Sequence, residues 1–136
     1  MIATAGYVDV EYDRDTGGRG WRGRGTLQAV RAALPDAGDV MVVNNGAAAL
    51  LLAITVRAAG HAVIWSRGER VEIGDGFRLP DLVVSTGATL HEVGTTNRTT
   101  KADYVAAITE HTGCVLKVHA SNFTMTGFTS SVDISD

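Results

Sequence analysis

The sequence predicts an α/β fold built on a parallel sheet. Short apolar runs of strand character alternate with helical segments, at a spacing that suits strand–helix–strand crossovers. Polar, glycine-containing stretches follow several of those runs, as at the carboxyl ends of strands in open α/β sheets. The 136 residues, 45% of them hydrophobic, suffice for one globular domain or part of one.

The elements follow in chain order. "GTLQAVRAAL" spaces Leu27, Val30 and Leu34 along one helical face, and Pro35 stops it. "DVMVV" is continuously apolar after its aspartate, as in a strand covered on both faces. "GAAALLLAITVRAA" is rich in the best helix formers and ends at Gly60. "AVIWS" reads as a second strand. "LPDLVVSTG" is a short helix with Pro80 in its first turn. "TLHEV" is a third strand, "KADYVAAITE" a helix capped by Thr99 or Thr100, and "CVLKVH" a fourth strand that contains Lys117. The closing "SSVDISD" starts an element rather than finishing one, so the chain reads as a fragment of a larger protein.

Composition excludes several classes. A formal charge of −3 gives no global case for nucleic acid, so any anion site must be local. The single cysteine, Cys114, rules out an internal disulfide and reads as a core thiol within an apolar run. No zinc-type cluster of Cys and His occurs in the pattern, and no metal is expected. The chain opens without a signal peptide, and no apolar run approaches the roughly 20 residues of a membrane span. A cytoplasmic protein is expected.

"TGGRGWRGRG", residues 16–25, contains G-x-G-x-x-G from Gly18 to Gly23. A dinucleotide loop needs a buried strand before it, and "VDVEYDRD" is too charged for that. An arginine–glycine RNA segment needs a longer disordered repeat. A surface loop and an anion site made of arginine forks remain.

"VMVVNNGAAALLLA" reads as strand, tight turn and helix. Backbone N–H groups at Asn45, Gly46 and Ala47 then face an anion at a helix N-terminus, or simply begin an ordinary connection. Strand-end topology predicts that Ser66–Glu69, Gly94–Arg98 and His119–Asn122 converge near that turn. His119 is either part of that site or a core histidine. His91 is structural, and His61 and His111 are solvated.

Taken together, "EYDRDTGGRGWRGR", "VNNGAAALLLA", "SRGERVEIGDGFRLPD", "LHEVGTTNRT" and "KVHASNFTMTGFT" resemble the bacterial selenocysteine synthase family, the L-seryl-tRNA(Sec) selenium transferases. The resemblance runs from residue 9 to about residue 133. It implies a three-layer, parallel-sheet part of a fold-type-I large domain, the aspartate aminotransferase-like fold that binds pyridoxal 5′-phosphate (PLP). It also implies conversion of seryl-tRNA(Sec) to selenocysteinyl-tRNA(Sec) with selenophosphate, through a dehydroalanyl intermediate, in a homo-oligomer. The tRNA-binding N-terminal part and the C-terminal part would lie outside this chain.

Roles carry over residue by residue. Asn45, Gly46 and Ala47 fall where the fold binds the PLP phosphate, although Gly46 stands where the family commonly has a third asparagine. Glu69, or Arg67 beside it, falls where the fold covers the cofactor ring. Ser121 and Asn122 fall where related enzymes partner its phenolic oxygen. Arg19 and Arg22 match the arginine block for the selenium donor's anionic group, with Arg24 adjacent. Neither Lys101 nor Lys117, the only lysines, matches the Schiff-base position. The other readings are a PLP-dependent paralogue, such as a β-eliminating ammonia-lyase, and an inactive α/β binding module.

Overall fold

The structure is a computed structural model, and it describes residues 11–13, 15–74, 76–121 and 123–136. The chain divides into two compact units, residues 1–43 and 44–136.

In the first unit the chain doubles back on itself. Tyr12 and Arg19 form an isolated antiparallel bridge. The Asp13 N–H donates to the Gly18 carbonyl at 2.9 Å and the Gly20 N–H to the Glu11 carbonyl at 2.8 Å. Gly17 takes φ +68° at the reversal, a conformation that L side chains resist. Helix α1, Arg24–Ala33, follows with Leu27 and Val30 half-buried. The predicted strand over "DVMVV" is not formed: residues 39–43 carry no strand pairing, and Met41 and Val42 are exposed. A strand exists only through a partner, and none of the described residues supplies one there.

The second unit holds the sheet. Helix α2, Gly46–Ala58, leads into β1, Ala62–Ser66, and a single 3-10 turn, Arg67–Glu69. A small hairpin, β2 (Glu72–Ile73) and β3 (Phe77–Arg78), was not foreseen from the sequence. Then come α3 (Leu79–Ser85), β4 (Thr89–Val93), α4 (Lys101–Ala107) and β5 (Thr112–Leu116). Pro80 lies in the first turn of α3, and Thr100 caps α4 in a reciprocal capping box with Asp103.

The three longer strands pair in the order β4–β1–β5, all parallel. Among the described residues the sheet therefore has three strands where the sequence suggests four. Central β1 is the most buried element, with Val63, Ile64 and Trp65 at 0% exposure. Alternation along the strand sends neighbours to opposite faces. Val63 packs with Ile54 and Ala58 of α2, Val83 of α3 and Ala88. Ile64 packs with Val93 and with Tyr104 and Ala107 of α4. Helices cover both faces, so the mixed α/β class with a parallel sheet holds. Fully burying one such aliphatic side chain contributes roughly 1.5–3 kcal/mol. Among the described residues, no helix is long and apolar enough to cross a membrane.

Candidate functional site

The carboxyl ends of β1, β4 and β5 open into a cleft of about 890 Å3. Its floor begins at Ser66, the buried last residue of β1. The Ser66 hydroxyl shares a 2.7 Å hydrogen bond with the Thr99 hydroxyl, itself buried, and accepts the Gly68 N–H at 3.2 Å. Gly68 lies so close to the loop after β4 that a Cβ there would stand 2.6 Å from the Thr96 carbonyl oxygen.

That loop is a compact turn. Gly94 takes φ +69°, and a Cβ on it would collide with the Thr99 hydroxyl. The Thr95 N–H donates to the Arg98 carbonyl at 2.8 Å, and the Thr95 hydroxyl donates to the same carbonyl at 3.0 Å. The C-terminal segment docks on this turn. Asn97 donates its side-chain amide to the Phe128 carbonyl at 2.6 Å, and Thr99 and Asn97 exchange backbone hydrogen bonds with Ser130 at 3.0 Å each. The Arg98 guanidinium lies 5.7 Å from the Phe128 ring centroid, within cation–π reach.

Glu69 closes the other wall. Its carboxylate receives the Lys117 ammonium on Oε1 and the Val118 N–H on Oε2 at 2.9 Å. Only 11% of the Glu69 side chain is exposed, against 28% for Lys117. Lys117 lies one residue past the end of β5, not inside the strand as expected. Tyr104 stands behind this wall, and its buried hydroxyl finds no hydrogen-bond partner among the described residues. Burial, and secondarily the Glu69 charge, push the Tyr104 phenol above its ordinary range. The nearby Ser66 hydroxyl is committed to Thr99 and forms no regular hydrogen bond with it. Burial likewise raises the Cys114 thiol, which is half-buried on β5 as a core thiol would be.

Parts of the three strand-end segments expected to converge do meet, but not at the Asn45–Ala47 turn where they were expected. Ser66, Gly68, Glu69, Thr95–Arg98 and His119 all line the cleft. His119 is exposed there and is not a core histidine, and His91 is exposed on β4. Asn122 lies outside the described residues, and Ser121 is exposed without lining the cleft. Asn45, Gly46 and Ala47 do not line it either. They form the start of α2, where the Asn45 side chain accepts the Ala48 N–H at 2.8 Å. At the far end of α2, Ala58 packs against Gly113 in the first half of β5. The helix N-terminus is therefore directed toward the carboxyl edge of the sheet.

Arg19, Arg22 and Arg24 belong to the first unit. Arg22 Nε donates to the Glu11 carboxylate at 2.6 Å, and an Arg19 nitrogen lies 3.8 Å from the same group. Arg24 pairs with Asp13, and that hydrogen bond holds the Asp13 carboxyl below the usual range. The segment before Gly18–Gly23, where a dinucleotide loop would need its strand, lies mostly outside the described residues. No metal-binding group of His, Cys, Asp or Glu occurs among the described residues.

Sequence reasoning named Thr99 only as a possible helix cap and Lys117 only as a strand lysine, and placed neither in the site. A basic residue directly after an apolar strand-like run was the available signal for Lys117. Its partner Glu69 is 48 residues away, beyond any local pattern.

The model of the family described as SelA, L-seryl-tRNA selenium transferase, matches residues 1–136. The chain is 51% identical over 130 residues to the L-seryl-tRNA(Sec) selenium transferase of Yersinia enterocolitica. It is 51% and 50% identical over 127 residues to proteins of the same name from Geotalea daltonii and Geobacter sulfurreducens. These alignments cover 96%, 93% and 93% of this chain and 28%, 27% and 27% of the relatives. The chain thus spans little more than a quarter of the length of the relatives it matches.

Proposed function

The chain belongs to the L-seryl-tRNA selenium transferase family, and from that membership we propose that it forms part of the PLP-binding large domain of an enzyme converting seryl-tRNA(Sec) to selenocysteinyl-tRNA(Sec) with selenophosphate. The observation that carries this reading is a family match over every residue of the chain. The large domain would have the fold-type-I architecture, act in the cytoplasm and work in a homo-oligomer. The tRNA-binding part and the Schiff-base lysine would come from residues other than these. Helix α2 supports a larger body, since Leu51, Leu52 and Val56 are exposed on a helix that is apolar nearly all round.

The residues fit a phosphorylated cofactor. The Gly46 and Ala47 N–H groups make no hydrogen bond to another described residue. The space beside Gly46 is open, so an anion can approach its backbone. Those two donors at the start of a 13-residue helix would hold the phosphate, with Asn45 fixing the turn. PLP supplies an electron sink for replacing the serine β-hydroxyl. Ser66, Glu69 and the Gly94–Arg98 turn would wall the ring side, and Ser121 and Asn122 would approach its polar edge. Arg19 and Arg22 would hold the anionic selenium donor, because planar guanidinium forks match tetrahedral oxyanions.

The test is reconstitution. A full-length protein carrying this chain, given PLP, seryl-tRNA(Sec) and selenophosphate, should form selenocysteinyl-tRNA(Sec). A folded, PLP-loaded protein that forms none would refute the assignment.

A further inference from the structure

The ion pairs around the turn after β1 divide between the two neighbouring strands. Arg67 and Arg70 both reach the Glu92 carboxylate on β4, at 3.5 and 3.2 Å. Glu69 lies between those arginines in sequence, yet its carboxylate turns the other way, to Lys117 and the Val118 N–H beyond β5. The turn is thus tied to both flanking strands, and the Ser66–Thr99 bond fixes its root. Both oxygens of Glu69 are occupied, so the carboxylate has lost its freedom to swing. Lys117 also sits within the field of Asp133, which lines the cleft as well.

Charge explains what the arrangement does. Glu69 is nearly buried at the edge of the cleft. Alone, its carboxylate would be poorly solvated and would repel an anion entering beside it. The Lys117 ammonium cancels that charge and pins the side chain flat. We propose that Lys117 is a positioning residue of the cleft, neutralising and fixing Glu69 so that a flat, anionic ligand such as PLP can settle against it. The inference rests on the proposed function, which puts PLP beside this wall.

The experiment uses the full-length protein carrying this chain, with PLP as the probe, titrated by absorbance. Lys117→Met should weaken PLP binding by at least roughly tenfold, as expected when one partner of a desolvated charge pair is removed. The double variant Glu69→Gln/Lys117→Met, which removes the stranded charge, should bind more tightly than Lys117→Met. Lys117→Arg, which keeps the charge, should stay within about threefold of the unaltered protein. A lysine needed only for folding would show no recovery in the double variant, and the melting midpoint of the PLP-free protein separates that case. A double variant as weak as Lys117→Met, or Lys117→Met with unchanged affinity, overturns the inference while leaving the proposed function standing. If Lys117→Met does not fold, more than tenfold loss in the double variant overturns it instead. An unaltered protein that takes up no PLP overturns the proposed function and this inference together.

Discussion

Ser66 and Thr99, thirty-three residues apart, share a buried hydrogen bond of 2.7 Å that ties the end of β1 to the start of α4. Both side chains are almost wholly buried, and beyond this bond the Ser66 hydroxyl has only the Gly68 N–H as a partner. Thr99→Val keeps the shape and leaves the buried Ser66 hydroxyl with the Gly68 N–H alone, which should cost about 1–3 kcal/mol. Adding Ser66→Ala should cost less than Ser66→Ala does alone, because no Thr99 hydroxyl is left to lose its partner, although the Gly68 N–H still loses its acceptor. Denaturant unfolding of the two single variants and the double variant measures the coupling. Strict additivity would show that the two hydroxyls do not act as a pair.

Gly113 offers a second test, on packing. A Cβ at this position would lie 2.6 Å from both Ala58 Cα and Ala58 Cβ, and 2.8 Å from the Arg57 carbonyl oxygen. Backbone atoms cannot rotate away, so Gly113→Ala must push α2 off β5. The expected loss is about 1–3 kcal/mol, visible as a lower melting midpoint. An unchanged midpoint would mean that α2 and β5 are not in this contact.

Much of the second unit was legible in the sequence because its signals are local. Apolar runs marked β1, β4 and β5, and Pro80 and the Thr99–Thr100 pair marked two helix starts, of which Thr100 proves to be the cap. "DVMVV" carries the same apolar signal and forms no strand, since strand pairing depends on distant partners that a run of valines does not specify. The β2–β3 hairpin escaped notice because each strand has two residues and shows no alternation to count. Strand-end topology brought Ser66–Glu69, Gly94–Arg98 and His119 together, but contacts such as Glu69 with Lys117 depend on side-chain direction and were not readable.

The α4 cap predicts a pH response. The Asp103 carboxyl is held below its usual range, first by the Thr100 hydroxyl and then by the Thr100 N–H. A depressed folded value means that the cap's contribution is fully present above the unfolded value, near ~3.9. It is lost as pH falls through the lower folded value. Asp103→Asn should therefore melt lower than the unaltered protein at neutral pH, and the difference should shrink on acidification below about pH 4. A difference that is constant with pH would exclude Asp103 as the titrating cap.

The start of α2 gives a test of the phosphate turn. Gly46→Asp sets a carboxylate beside the Gly46 and Ala47 N–H groups, where the proposed phosphate would sit. The helix tolerates the change, since no atom lies within 4 Å of the new Cβ and an acid suits the first turn. PLP affinity should fall by roughly tenfold or more through charge repulsion, while the melting midpoint of the PLP-free protein should hold or rise. Unchanged affinity by titration would remove this turn from the cofactor site.

Arg19 and Arg22 should matter for selenium transfer and not for PLP. Both guanidiniums gather on one exposed carboxylate, Glu11, with side chains 89% and 76% exposed. Exposed ion pairs of this kind contribute little to stability, typically about 0–1 kcal/mol. Replacing both arginines by alanine should therefore leave the melting midpoint nearly unchanged. PLP binding should also survive, because the proposed phosphate turn at the start of α2 has its own backbone donors. Transfer at limiting selenophosphate should fall at least roughly tenfold, since each lost charge-assisted contact costs about 1.5–3 kcal/mol. Paired lysine replacements should recover only part of it, as an ammonium keeps the charge and loses the planar fork. Glu11→Gln separates two accounts of the cluster. If Glu11 competes with the donor anion, its neutralisation lowers the selenophosphate concentration at half-maximal rate. If Glu11 orients the arginines, that concentration rises. The measurement is selenocysteinyl-tRNA formation against selenophosphate concentration, with the PLP absorbance recorded beside it. Normal donor dependence in the double alanine variant would end the anion-site reading, and loss of PLP would move these arginines to the cofactor.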